Sequence, residues 1–250
     1  MKNILLAITF SIFLSTSSFA QNPIAQSLML IDCPTSGTLD RGSFLTALDS
    51  YNDGGILATI QVGISDRIMF GISYGGTNII GTGPVEWNPQ IGVNGRYRII
   101  DETVSIPAFS IGYEGQGRGV FVDSLDRYLE KSKGLYIAGS KSFQFLGFLA
   151  IHGGLNYSFE REDNDKDLNG FLGLEKGIND ELAIFAEYDL AFNDNAPKSF
   201  GKEKGYLNIG AKLSFQGKLH INFVWKNILK NNNTRPYSSR EIRLSYIEYF

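Results

Sequence analysis

Two histidines, one cysteine and a few clustered carboxylates are the residues of this 250-residue chain with obvious chemistry to offer. Hydrolysis by a serine nucleophile needs a histidine base beside it, often two positions away on a strand so that both side chains share a face. His152 is followed by Gly153 and Gly154, and His220 by Ile221 and Asn222, so neither has that serine in its own segment. No enzyme is expected, and no cofactor. The stretch DNDKDLNG sets Asp163, Asp165 and Asp167 at calcium-loop spacing, but the sixth loop position is Leu168 rather than glycine and the twelfth is Leu174 rather than glutamate. A solvated acidic loop is the expectation there. GQGRG lacks the strand-to-helix setting of a phosphate loop. Cys33 has no partner for an internal disulfide and reads as a small buried apolar residue.

The elements that must position these residues are strands. Ile56, Ala58, Ile60 and Val62 alternate down one segment; Ile68, Phe70, Ile72 and Tyr74 do so down the next, opposite Met69, Gly71, Ser73 and Gly75. Ile91, Val93, Tyr97 and Ile99 face away from Gln90, Asn94, Arg96 and Arg98. The same two-residue period recurs through Phe109 and Ile111, Leu149 and Ile151, Leu182 and Ile184, Leu207 and Ile209, Ile221 and Phe223, and Ile242 and Leu244. Tight turns at ISDR, IDET, FQFLG, GINDE and FQGK alternate with longer polar loops at 76–88, 114–132, 160–167, 192–204 and 229–239. The pattern predicts an all-β, single up-and-down antiparallel transmembrane β-barrel over 42–250. It has about twelve strands, short periplasmic turns and longer extracellular loops.

Charge placement separates such a barrel from an exported soluble sandwich, because a lipid-facing register must be nearly free of charge. The alternating apolar positions carry none; Lys176 and Glu248 are exceptions at periplasmic strand ends. In GLYIAGSKSF, Lys141 is assigned to the lumen, which would take Leu135, Ile137 and Gly139 with it. Trp87, Tyr113, Phe159, Phe192 and Tyr206 form an expected outer aromatic girdle, and Tyr97, Phe143, Phe215 and Phe250 an inner one. In FVDSLDRYLEKS, the spacing of Phe121, Leu125, Tyr128 and Leu129, with Asp123 as N-cap, predicts a short amphipathic helix.

The first twenty residues read as a signal peptide: basic Lys2, an apolar run from Ile4 to Leu14, and small residues Ser18 and Ala20 before a cleavage site near Ala20. Residues 21–41 then form a periplasmic N-terminal segment that has access to the lumen as a plug. Net charge is −3, or −4 once Lys2 leaves with the leader, so there is no basic excess for nucleic acid.

The chain closes on REIRLSYIEYF, with Ile242, Leu244, Tyr246 and Phe250 at alternate positions and Glu248 departing from the pattern. This resembles the C-terminal signature of Gram-negative outer-membrane proteins. The resemblance implies an outer-membrane location, lipid and lipopolysaccharide around the wall, and recognition of those four residues by the barrel-assembly machinery. IDCPTSGTLDRGSF followed by VGISDRIMFGIS, within residues 31–75, is similar to the opening of YjbH-like proteins, which are associated with exopolysaccharide.

Carrying the alternation through each strand puts Arg96, Arg98, Glu114, His152, Asn156, Glu175, Glu187, Asp189, Lys212, Lys226 and Arg243 inside. A barrel of about twelve strands lies between the side-chain-filled and the water-filled sizes. Two functions fit. One is passive passage or export of a small hydrophilic or saccharide solute, possible partners being such a solute or a polysaccharide. The other is a closed structural or envelope-interaction barrel whose lumen charges satisfy one another. Arg96 and Arg98 sit nearly opposite Glu187 and Asp189. An open lumen would keep them apart across a transverse field, and a plugged one would require them to reach partners.

Overall fold

A computed structural model describes residues 27–250; the signal peptide and cleavage site expected from the sequence lie outside the described residues. Fifteen strands are present: β1 (Ser43–Tyr51), β2 (Gly55–Ser65), β3 (Ile68–Thr77), β4 (Glu86–Trp87), β5 (Gly92–Ile100), β6 (Ala108–Glu114), β7 (Arg118–Val122), β8 (Arg127–Glu130), β9 (Gly134–Gln144), β10 (Phe148–Tyr157), β11 (Asn169–Gly177), β12 (Leu182–Asp189), β13 (Tyr206–Phe215), β14 (Leu219–Lys226) and β15 (Ser239–Tyr249). Twelve of them make the wall. β4 only extends β3, and β7 with β8 forms a separate hairpin. Each wall strand pairs antiparallel with its neighbours, and β15 closes on β1 from Ser43 opposite Tyr249 to Ser50 opposite Ile242. No edge is left open, the condition under which a sheet survives in hydrocarbon. Among the described residues, no helix is long and apolar enough to cross a membrane.

The two-residue period sorts the wall into two faces. Phe70, Ile72, Leu155, Leu172 and Phe223 stand exposed on the outside, while Met69, Ser73, Asn156, Phe171 and Asn222 are buried inside. Trp87 stacks on Tyr74 at 5.8 Å on the outer rim. Outward charges lie at strand ends and find partners: Lys176 donates to the carbonyls of Phe145 and Leu146 at 2.8 and 2.6 Å, and Glu248 pairs with Lys218 at 2.8 Å.

Three expectations need correction. Lys141 lies opposite the exposed Ile151, in the outward register with Leu135 and Ile137, and bends to Glu102 (3.2 Å) in the turn after β5. That turn, 101–107, is therefore longer than IDET. Tyr206 belongs to no girdle: it is buried inside and donates to Asp194 at 2.6 Å. The amphipathic helix is a β-hairpin instead. A 3-10 turn, Asp123–Leu125, joins β7 to β8, Asp126 ends it at φ 45°, and Phe121 meets Tyr128 across the ladder, ring centroids 5.0 Å apart. Two aromatics seven residues apart match two helical turns and also facing positions of a hairpin, and spacing alone does not separate the two.

Candidate functional site: an occupied lumen

Arg96 and Arg98 on β5, Glu114 on β6, His152 and Asn156 on β10, Glu175 on β11, Glu187 and Asp189 on β12, Lys212 on β13, Lys226 on β14 and Arg243 on β15 all turn inward; Arg98 and Arg243 are half-buried and the rest buried. Within this set one ion pair forms directly, Lys212 with Glu175 at 2.5 Å. Arg96 and Glu187 do not touch. Between them stands the chain's own N-terminal segment.

Residues 28–35 fold back on themselves as a tight hairpin. The Leu30 N–H donates to the Cys33 carbonyl (3.1 Å), the Thr35 N–H to the Leu28 carbonyl (3.4 Å), and Met29 bridges Pro34. The hairpin lies inside the barrel, with Ile31 and Asp32 at its tip. Leu30 and Ile31 pack on Phe185, and Cys33 packs with Tyr136, Ala138 and Phe171. Gly173 makes this possible: a Cβ there would lie 2.0 Å from Leu30 Cδ1.

The wall's charges are spent on the hairpin's backbone. The Glu187 carboxylate accepts the N–H groups of Ile31, Asp32 and Cys33 at 3.0, 3.0 and 2.9 Å, and the Asn208 amide at 2.9 Å. Successive backbone N–H groups converging on one anion make a nest, and charge-assisted bonds of this kind are the strong ones. On the other wall, Arg96 donates to the carbonyls of Leu28 (2.8 Å) and Gly37 and to the Tyr136 hydroxyl (2.8 Å), Arg98 to Ser36 (3.2 Å), and Arg243 to Ile31 (3.1 Å). Lys212 reaches the Ser27 hydroxyl at 2.7 Å. Arg96, Arg98 and Glu187 thus meet a peptide rather than one another, while Lys212 on β13 pairs with Glu175 on β11, two wall strands away.

The tip is latched from the outer side. Asp32 pairs with Lys226 (2.6 Å) and with Arg118 of β7 (3.2 Å); Lys226 also pairs with Glu130 of β8 (2.8 Å). Burial pushes the Glu130 carboxyl up to about 7, against the pull of Lys226 and with the help of the Asp32 charge. The β7–β8 hairpin is itself clamped into the mouth by Arg127, which is fully buried between Asp163 and Asp194 and stacks 4.6 Å over Phe200. Lys131 joins Asp163 at 2.9 Å and Lys133 joins Asp189. The acidic loop is therefore solvated only in part, Glu162 and Asp167 being exposed. Asp163 and Asp165 are buried acceptors that tie the loop to β7–β8 and to the N–H groups of Asn195 and Ala196, at 2.7 and 3.0 Å. Little space remains. About 110 Å³ lies between the hairpin and the wall beside Gln61, Asn94, His220 and Arg243, and about 30 Å³ nearer the mouth beside Asp189 and Tyr206; Glu114 and Arg118 border both.

Asp32, Asp49, Arg118, Arg127, Glu130 and Lys133 belong to this site and escaped the sequence reading. Asp49 had a usable signal, since it alternates inward on β1, directly opposite Arg243, and bonds it. The others lie on the N-terminal segment or on 115–133, where no period assigns a face. The serines that the histidines lack in their own segments come from neighbouring strands: Ser140 Oγ lies 2.8 Å from His152 Nδ1 and Ser214 Oγ 2.9 Å from His220 Nδ1, each pair directly opposite in register. Among the described residues no carboxylate hydrogen-bonds either ring at Nε2, so the base lacks an orienting group.

The architecture is that of the outer-membrane β-barrels, a closed wall of twelve antiparallel strands. No protein-family model matches the chain, and no curated protein sequence does. Among solved structures it is similar to the KdgM porin, at TM-score 0.51 and 9% identity over 82% of this chain and 98% of that one. An outer membrane channel from Pseudomonas putida F1 aligns at TM-score 0.49 and 11% identity over 88% and 100% of the two chains, and the NanC porin at 0.42 and 8% over 83% and 99%. At such identity the likeness to the KdgM porin extends to the fold and no further.

Proposed function

We propose that the protein is an outer-membrane channel for a small hydrophilic or saccharide solute, shut at rest by its own N-terminal hairpin. The observation that carries this reading is the way the lumen's charges are satisfied. Glu187, Arg96 and Arg243 hold backbone groups of a short hairpin, and Arg98 the Ser36 carbonyl just after it, in a segment that makes no covalent link to the wall before Ser43. Withdrawing the hairpin toward the periplasm would leave a lumen lined by hydrated charges of both signs, suited to a polar solute and poor at ion selection. The similarity to a porin supports the same class. Saccharides are included because residues 31–75 resemble YjbH-like proteins. Ile242, Leu244, Tyr246 and Phe250 are assigned to assembly, all four exposed on the outer face. A second reading, a permanently closed envelope barrel, is favoured by one feature, the buried Arg127–Asp163–Asp194 clamp across the mouth.

Planar-bilayer recording separates them. Wild-type protein should be mostly closed, and a chain lacking residues 27–37 should give discrete conductance steps. A deletion protein that migrates as a folded barrel in unboiled SDS gels yet passes no current would remove the channel reading and leave the closed one.

A further inference from the structure

The period of two does not stop where β10 stops. Leu155 and Tyr157 face outward at the end of the strand, and Phe159 and Arg161 continue the register over the rim. The three side chains are organised. The Arg161 guanidinium lies 5.6 Å over the Tyr157 ring and 6.0 Å from the Phe159 ring, donates to the Tyr157 hydroxyl at 2.8 Å, and is held over lipid-facing aromatics rather than over the mouth. Phe159 also packs against Tyr113, 6.1 Å away on β6. The nearby carboxylates are otherwise engaged: Glu160 takes the N–H groups of Tyr128 and Ser132, Asp163 takes Arg127 and Lys131, and Asp165 takes Asn195 and Ala196. Glu162 and Asp167 are exposed, and among the described residues no carboxylate oxygen comes within 4.0 Å of Arg161.

Below this cation runs an apolar groove of about 860 Å³ on the outer wall, from Leu168 and Tyr157 at the rim past Ile137 and Ile111 to Ile64 near the inner end. Its notch is Gly95, which faces outward between Val93 and Tyr97 with no side chain to fill the space. A fixed guanidinium at the polar end of an apolar groove complements an amphiphile with an anionic head. Arginine's planar fork suits the oxygens of a phosphate, and stacking on two rings reduces the entropy lost on binding one.

We propose that this rim and groove bind a phosphorylated acyl lipid of the outer leaflet, Arg161 taking a phosphate and the groove around Gly95 an acyl chain. The site rests on the outer-membrane reading above, and its test keeps the two apart. Purified protein in a neutral detergent is titrated with diphosphoryl lipid A and followed by native mass spectrometry, using wild type, Arg161→Gln and Gly95→Leu. A Cβ at Gly95 meets only the Met69 carbonyl oxygen, at 3.8 Å, so that variant fills the groove without disturbing the wall. Wild type should bind one lipid preferentially. Arg161→Gln should bind about tenfold more weakly, equivalent to about 1.4 kcal/mol, and Gly95→Leu should lose affinity with its arginine intact. Millimolar inorganic phosphate should not displace the lipid, and a phosphate-free lipid with the same chains should bind wild type and Arg161→Gln equally. Equal lipid A binding by all three proteins, each heat-modifiable on SDS gels, overturns the site and leaves the barrel standing. Displacement by free phosphate alone would mean that the head group is bound without the groove, and overturns it too. Loss of heat-modifiable migration in wild type would refute the barrel and the site together.

Discussion

Cys33 is the chain's one cysteine, 1% exposed in the hairpin within the lumen, and it reports on the plug without any engineered label. Burial raises its thiol pKa well above the ordinary value, with the Glu187 charge adding to the effect, so the seated hairpin should react slowly with a maleimide. Consider Glu187→Ala. Three backbone N–H groups and the Asn208 amide lose their acceptor. A buried donor left without a partner costs about 1–3 kcal/mol. Water in the adjoining space of about 30 Å³, which Glu187, Asp32 and Asn208 line, can reach part of the site, so the low end applies. Three groups at about 1 kcal/mol each give about 3 kcal/mol, roughly a 150-fold rise in the hairpin's released population. If labelling proceeds through release, the second-order rate of Cys33 modification in intact outer membranes should rise by about that factor. Glu187→Gln should fall between, because its amide oxygen keeps one or two of the bonds while its NH2 faces donors. The reasoning fails if Glu187→Ala, still heat-modifiable as a folded barrel, labels within about twofold of wild type, since a carboxylate that seats the hairpin cannot be removed at no cost.

Release of the tip takes the Asp32 charge away from Glu130, so the seated state keeps the Glu130 proton to higher pH than the released state does, and that contribution is lost as pH rises through about 7. Cys33 labelling, corrected for thiolate fraction, should therefore accelerate from pH 5 to 7.5, and Glu130→Gln should abolish the extra acceleration. Arg127→Met leaves Asp194 without its cation and Asp163 with Lys131 alone, a loss of about 3–5 kcal/mol for a broken buried pair, read as proteolysis within 115–133 and 190–205 while the wall stays heat-modifiable. Removing Phe250, which packs 5.3 Å from Phe44 and donates its N–H to the Gly42 carbonyl at 2.8 Å, should lower outer-membrane levels far more than Phe121→Asp in the mouth hairpin, as immunoblots of sorted membranes would show.

The wall was legible because its two faces obey one simple rule: Ile72 and Ser73 are separated by one peptide unit and by the difference between hydrocarbon and a polar lumen. The legibility failed where that contrast fails. Lys141 sits in the lipid register because the turn after β5 supplies Glu102 within reach, which makes an outward lysine tolerable at the wall's inner end. Tyr206 is inside because Asp194 gives its hydroxyl a buried partner; an aromatic near a strand end looks the same in sequence whichever face it takes. Asp163 read as solvated because its cation, Arg127, lies 36 residues away on a hairpin mistaken for a helix, and Asp165 because its partners are backbone N–H groups of Asn195 and Ala196 on another loop. The lumen charges were visible as inward residues, but their partners were not. A carboxylate that binds backbone N–H groups leaves no complementary side chain for a sequence to display.

That last point explains why a hairpin, rather than cross-lumen ion pairs, fills this barrel. Arg96 and Glu187 lie on the fourth and ninth wall strands, nearly opposite each other, so a direct pair would have to cross the lumen with two extended side chains. Burying such a pair recovers its desolvation cost only with excellent geometry and further hydrogen bonds. A peptide inserted between them gives each charge several short, well-aligned partners, carbonyls for the arginines and N–H groups for the glutamate. Those partners carry no net charge. The wall therefore keeps its separated positive and negative sides beneath the plug, and withdrawal of the hairpin would expose a transverse field already in place, one able to orient a dipolar solute as water returns. Under the channel function proposed above, one set of residues would serve both states: it grips the plug when the channel is shut and would line the path once the hairpin withdraws.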